Sequence, residues 1–597
     1  MHRMKQATLS PIVYHWDLSP LYKNRGAWSE DLAEVKQLAQ KLFHFRGIST
    51  LTVAALESAL QLQSRIFMLL DKLYIYPKLR LDLDYQDEEA RQMCDMASHA
   101  SRRILSDIAF LADELRSLDE SLLTKTSADS LANYRRLLQE FKRFGPHMLD
   151  ADQEDILAQL HQITGHVYQT YRILREQETV YPDITDASGE NIVLLDNNYP
   201  LLMEHPDRNV RKQAYYGVMS ALHQKRETFA SLLKTYALQL SLNAGFRRHE
   251  SSFAAALFEE EIHPEIYGYL INAVHLHLNT LHHYINLRKK LLGVTQLGSY
   301  DLLAPLPAQS EPVVGVQEGL ALIESSLAPL GEEYYDYLAY LIGVNCIDFY
   351  PDSRKTDGAY TWNVYDVYPY ILLNYNNNTD SLFGLVHELG HAVHYMFTNR
   401  HQPYIYADCP VFLSEIVSNV NECLLIRHLL EHAEDSSSRL YYLSYYIEMF
   451  RSTVFRQSLL AEFEHFIYST LDAEQPLNAS LLCETYKSLT RSYYGDGLLV
   501  EDLQGSEWIR ASHLYKNFYM FKYPVGYLIA LQIVQNIHEQ GARYAEKYTR
   551  MLKAGNAAPA VDLLRTIDID VDDPNLYGSG LRIFESLITN LEEACYA

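Results

Sequence analysis

The chain has 597 residues, 48% of them hydrophobic and 21% charged, which supplies a large core and argues against disorder. Asp and Glu number 76 against 51 Lys and Arg, a formal net charge of −25. That balance argues against nucleic acid as a partner, because phosphate binding needs a basic face, and it mildly favours basic ligands.

From the N-terminus, Met1-His2-Arg3-Met4-Lys5-Gln6 leads into polar and aromatic residues without the apolar run of a signal peptide. Apolar residues at three-to-four spacing, with many helix formers, predict helices over 29–45, 50–76, 86–116, 150–178 and 207–243. Turn residues at Tyr181-Pro182-Asp183 and Asp196-Asn197-Asn198-Tyr199-Pro200 place a boundary near 200, dividing an N-terminal helical domain (1–200) from a second domain (201–597). Gly and Pro mark another break over 293–312. Four histidines, His275, His277, His282 and His283, fall on one predicted helix with no carboxylate among them, and read as an ordinary polar face. The stretch 359–376, rich in aromatic and β-branched residues, predicts a strand ending at Asn376-Asn377-Asn378. The longest apolar stretch near the C-terminus, Val525 to Val534, is too short and interrupted to span a bilayer. Six scattered cysteines, Cys94, Cys346, Cys409, Cys423, Cys483 and Cys595, read as free thiols in a reducing compartment. The expectation is a mainly α, cytoplasmic protein with no membrane partner.

One helix carries chemistry. After an N-cap expected at Asp380, the chain reads His387-Glu388-Leu389-Gly390-His391. Histidines four apart share one helix face and can bind one zinc ion, while Glu388 is placed to reach the metal's water. Zinc lowers the pKa of that water toward about 7, and Glu388 takes its proton as it attacks a peptide carbonyl. A third protein ligand is needed, and the His position of the longer metzincin motif is occupied by Phe397. The helix expected after Pro410 offers Glu415, flanked by apolar residues, as the natural candidate. Glu422, seven residues later on the same face, could orient a ligating histidine. His394, one turn after His391, is a further residue that could face the site. The segment Trp508 to Tyr527 supplies imidazole and phenol groups suited either to an oxyanion or to an aromatic core stripe, with Pro524 expected to stop or kink a helix after Tyr523.

These residues resemble the oligoendopeptidase F branch of the thimet oligopeptidase-like zinc peptidases. Besides the His-Glu helix, the matching stretches are Tyr284 to Gly293, Tyr300 to Leu306, Phe412 to Glu422 and His513 to Tyr523. The resemblance implies a large helical zincin-type peptidase, with a small β-sheet beside the active-site helix and a deep channel that admits short peptides. It implies one zinc ion per chain held by His387, His391 and Glu415, with 201–597 as the catalytic domain. It implies that His513 and Tyr523, with Tyr519, contact the substrate carbonyl or the transition state. It also implies that the loop around Gly358, Ala359 and Tyr360 binds substrate, and that Tyr370 to Tyr375 is the edge along which the peptide lies. A zinc endopeptidase acting on oligopeptides is the leading expectation. An inactive peptide-binding protein of the same fold and a zinc exopeptidase are the alternatives, and the oligomeric state is left open.

Overall fold

A computed structural model describes residues 13–47, 53–116, 132–150, 165–306 and 311–596, with 152–154, 156–157 and 160 between them. The N-terminal hexapeptide and parts of the helices expected over 50–76 and 150–178 lie outside the described residues. Helices dominate, and the strands form only two- and three-stranded sheets. No helix among the described residues is long and apolar enough to cross a membrane. The chain folds into two compact units, each gathered from three stretches: 1–146, 312–425 and 534–568 in the first, 147–311, 426–533 and 569–597 in the second.

Most predicted helices form. Those expected over 29–45 and 50–76 are Arg25–Leu42 and Val53–Leu83, the second running on through Pro77. The one expected over 86–116 divides into Glu88–Ile108 and Phe110–Arg116, and the one over 207–243 into Arg208–Gln224 and Arg226–Phe246.

In the first unit, a three-stranded sheet lies beside the His387 helix, Thr379–His401. Its order is Ile347–Asp348, Tyr370–Leu372, Tyr360–Trp362, the last pair antiparallel. The single strand expected over 359–376 is therefore a hairpin. Asn363, Asp366 and Pro369 break the run, and the abundant aromatic residues masked that turn chemistry. Tyr370–Leu372, expected as the edge, consequently sits in the middle of the sheet, with Tyr360–Trp362 and Ile347–Asp348 at its two edges. The His387 helix starts one residue after Asn378, whose side chain accepts the Ser381 N–H at 3.0 Å. Asn378, not Asp380, is its N-cap, and Asp380 falls in the first turn, where its charge suits the helix dipole. Leu385, Val386, Leu389, Ala392 and Val393 are wholly buried, so the helix runs through the core.

The next helix, Val411–Glu431, starts after Pro410 as expected and crosses the first at Gly390. A Cβ at Gly390 would come within 2.9 Å of the Ser418 Cα and 3.1 Å of the Asn421 amide nitrogen. Asn421 ties the crossing, donating to the Val386 carbonyl at 3.3 Å and accepting from the Tyr334 hydroxyl at 2.9 Å.

The second unit is organised around a buried ion cluster. Asp301, with no exposed surface, accepts from Arg208 at 2.8 Å, from Arg211 at 3.1 Å and from the Gly298 N–H at 3.0 Å. Arg288 donates to the Asp301 carbonyl at 3.1 Å, and Tyr284 donates to Glu448. Burial alone would raise the Asp301 carboxyl, but Arg208, Gly298 and Arg211 together hold it below the usual carboxylate range. Its contribution to stability is therefore present above the unfolded value near pH 4 and is lost as pH falls through the depressed folded value.

Asp301→Asn leaves Arg211 buried without its counter-charge. It should cost about 3–5 kcal/mol in urea unfolding at pH 7, and a change below about 1 kcal/mol would show that the cluster does not carry the unit. Gly390→Ala forces two backbones apart. A loss of about 1–3 kcal/mol is expected, together with weaker metal binding in a titration followed by calorimetry, and unchanged metal affinity would mean that the crossing does not set the site.

Candidate metal centre and active site

His387 and His391 lie one helical turn apart, and their Nε2 atoms point at each other 3.1 Å apart. Glu415, from the crossing helix, places a carboxylate oxygen 3.7 Å from the His387 Nε2. One ligand atom from each of the three lies within 4.8 Å of the others, and all three side chains are half-buried, open enough to receive an ion and a substrate. Two imidazole nitrogens and a carboxylate oxygen form a donor set suited to zinc, so the residues fit the metal expected from the motif.

The outer nitrogens are held as a metal site requires. The His387 Nδ1 meets Glu422 Oε1 at 2.6 Å, and the His391 Nδ1 meets Ser414 Oγ at 2.8 Å. Such partners fix the ring orientation, and a ring in its neutral form then has Nε2 free to offer a lone pair to an ion. The electrostatics of the two rings diverge. Burial would lower His387, but Glu422, with Glu388 and Glu415, outweighs it and lifts the ring to about 9. Burial, then the neighbouring His387 and His394, push His391 well below the usual histidine value. Facing nitrogens at this distance do not both carry protons.

Glu388 is buried, and its Oε2 accepts the Thr361 hydroxyl at 2.7 Å. Thr361 belongs to the edge strand, so the sheet orients the carboxylate. Burial raises the Glu388 pKa, with His387 and the Thr361 bond opposing.

Gly358 and Ala359 are exposed just before the edge strand, and Gly358 has φ +90°, a conformation open to glycine. The Asn374 amide holds this loop by donating to the carbonyls of Thr356 at 3.0 Å and Gly358 at 2.8 Å. The Tyr360 hydroxyl donates to the buried Asp82 at 2.6 Å, tying the loop to the helix Val53–Leu83.

In the second unit, His513, Tyr519 and Tyr523 form one aromatic group. The Tyr523 hydroxyl lies 3.4 Å from the His513 Nε2, and ring centroids are 5.7 Å apart for His513–Tyr519 and 5.0 Å for Tyr519–Tyr523. Burial, then Lys516 and Arg456, lower His513 to about 4, so the imidazole is neutral. Phe518, between them, has φ +45°, with its ring buried 4.6 Å from Tyr468. The helix expected to end near Pro524 instead begins at Lys522. Proline is tolerated in a first turn, where its missing N–H costs nothing.

Other sequence candidates resolve differently. His394 is fully buried and turned to Cys409 Sγ at 3.5 Å, and burial lowers it to about 4. The four histidines from 275 to 283 do not share one helix. The chain breaks at His277 between Glu265–Leu276 and Leu278–Leu291, so His275 and His282 sit on separate helices. His275 meets Glu462 at 2.7 Å, and His282 meets the Ser492 carbonyl at 3.1 Å. All six cysteines are free. Ser414 and Thr361 went unread in the sequence. Ser414 stands beside Glu415, where a ligand helix could have suggested it, whereas no spacing rule points to Thr361.

Known proteins place the whole chain. A family model described as peptidase family M3 matches residues 201–581, and one described as oligopeptidase F matches 114–177. Oligopeptidase PepF of Bacillus subtilis is 33% identical over 580 residues, covering 97% of this chain and 87% of the relative. Group B oligopeptidase PepB of Streptococcus agalactiae is 31% identical, covering 97% of this chain and 96% of the relative. The crystal structure of oligoendopeptidase-F from Enterococcus faecium superposes with a TM-score of 0.75 at 28% identity, covering 95% of this chain and 98% of that one. With the two matched models lying in order along one chain and near-full-length relatives on either measure, this protein belongs to peptidase family M3, in its oligoendopeptidase F branch.

Proposed function

We propose that this peptidase is a zinc-dependent endopeptidase that hydrolyses short oligopeptides, with His387, His391 and Glu415 as ligands and Glu388 as general base. The observation that carries the reading is the convergence of three ligand atoms within 4.8 Å, beside a buried carboxylate held by Thr361. When bound, the zinc ion polarises the scissile carbonyl and acidifies water. Glu388 accepts the proton of the attacking water and returns it to the leaving amine, and Thr361 keeps its carboxylate aimed during both transfers. Glu422 holds His387 in the ligating tautomer, and Ser414 does the same for His391. The peptide adds to the exposed edge at Gly358, Ala359 and Tyr360 as a further strand. For the developing oxyanion the resemblance points to Tyr523, Tyr519 and His513, which together offer two phenol donors and an imidazole neutral near pH 7.

Two measurements test this. A quenched fluorescent oligopeptide should be cut internally by the protein, with one zinc per chain by metal analysis. Glu388→Gln should lower kcat by about a hundred- to ten-thousand-fold while keeping the metal. Undiminished cleavage in that variant, or in chelated protein, would sink the mechanism, and release of terminal residues alone would favour an exopeptidase. Glu422→Gln should weaken zinc affinity by about 10- to 100-fold, read by competition with a chelating dye, and an unchanged affinity would remove Glu422 from the metal site.

A further inference from the structure

Within the first unit, a cavity of about 630 Å³ opens beside the edge strand. Thr361 lines it, the residue whose hydroxyl holds Glu388, together with Trp362. Tyr395 lines it too, seven residues after Glu388 and so on the same face of the His387 helix. The helix Val53–Leu83 contributes Phe67 and Met68, so much of the wall is apolar or aromatic.

Its charge is one-sided. Asp71, Asp366 and Asp408 all line the cavity, and Lys72 is the one basic residue in the lining. The Lys72 ammonium lies 5.1 Å over the Tyr22 ring instead of on either carboxylate. Asp71 accepts the Tyr404 hydroxyl. Among the described residues, no cation offsets burial at Asp71 or Asp408. Burial pushes both carboxyls above the usual range, and Asp408 adds to the rise at Asp71. Neighbouring like charges in a partly desolvated pocket are relieved by an incoming cation. An apolar wall leading to paired carboxylates matches a group with an aliphatic stem and a cationic head. A chain with a net charge of −25 attracts such ligands as a whole.

We propose that this cavity is a specificity pocket of the peptidase site, taking a cationic group of the peptide substrate, its stem along Phe67, Met68 and Trp362 and its charge at Asp71 and Asp408. The occupant is a lysine or arginine side chain or the N-terminal ammonium, and the inference rests on the peptidase reading above.

The test uses quenched peptides differing only in Lys or Gln at successive positions around the cut, each with a free or an acetylated N-terminus. Wild-type kcat/KM should favour the cationic form by about tenfold or more at one position, and Asp408→Asn should bring that ratio toward one. Asp408→Lys should invert it. Loss on acetylation rather than on Lys→Gln identifies the N-terminal ammonium as the occupant. The same ratio in wild type and Asp408→Asn overturns the proposal. Binding of the same peptides, labelled and followed by anisotropy in Glu388→Gln protein, reads the pocket without turnover. If no peptide is cut, the peptidase mechanism falls, while equal binding of cationic and neutral peptides overturns the pocket independently.

Discussion

The geometry of the site depends on how closely two helices cross. Glu415 reaches the histidine pair because Gly390 presents no side chain where the Ser418 backbone passes, at a separation that would put a Cβ 2.9 Å from the Ser418 Cα. A larger residue at 390 would move the ligand helix outward, and a shift of an ångström is enough to take a carboxylate out of a coordination sphere whose bonds are about 2.0–2.2 Å long. Asn421 resists the same movement by donating to Val386 across the crossing, and the Tyr334 hydroxyl, from the helix Glu332–Gly343, holds its carbonyl oxygen. The glycine of His-Glu-Leu-Gly-His thus sets where Glu415 stands relative to the histidine pair, although it is not one of the three candidate ligands.

Charge compensation follows from that packing. The crossing brings three glutamates, 388, 415 and 422, to two histidines, and the surroundings assign each a separate task. Glu422 takes the outer nitrogen of His387 at 2.6 Å, Glu415 faces the inner one at 3.7 Å, and Glu388 turns to Thr361. At 3.1 Å the two facing imidazole nitrogens can share one proton, and a cation accepting both lone pairs would take that proton's place. Burial lowers both rings, but Glu422 outweighs it at His387, so the two rings favour opposite protonation states.

The proposed ligands and the residue that orients one of them were legible in the sequence because they obey helix periodicity. Four residues separate His387 from His391, and seven separate Glu415 from Glu422, so each pair shares a face whatever the rest of the fold does. Features set by tertiary partners were not legible in the same way. The stretch 359–376 reads as one strand on propensity, but Asn363, Asp366 and Pro369 turn it, and the hairpin puts Tyr360–Trp362 at an edge in place of the expected Tyr370 to Tyr375. Thr361, read only as part of a strand, acquires its role because the edge strand lies against Glu388. Pro524 was ambiguous for a related reason. A proline near a helical pattern marks an end, and only the preceding chain, which is 3₁₀ and turn, shows it to be the beginning.

Two stretches that carry the family resemblance lie outside any catalytic group, and their chemistry shows why they read so distinctly. Tyr284 to Gly293 and Tyr300 to Leu306 meet at Asp301. There Arg208 and Arg211 bind the carboxylate, Arg288 binds its carbonyl, and Tyr284 donates to Glu448. A buried charge tolerates no partial solution, since removing one member strands the others. The residue types at these positions answer to the cost of desolvating charge and not to the needs of a reaction. A motif can consequently identify a fold with confidence while pointing away from its active site, and only the partners of each side chain separate the two meanings.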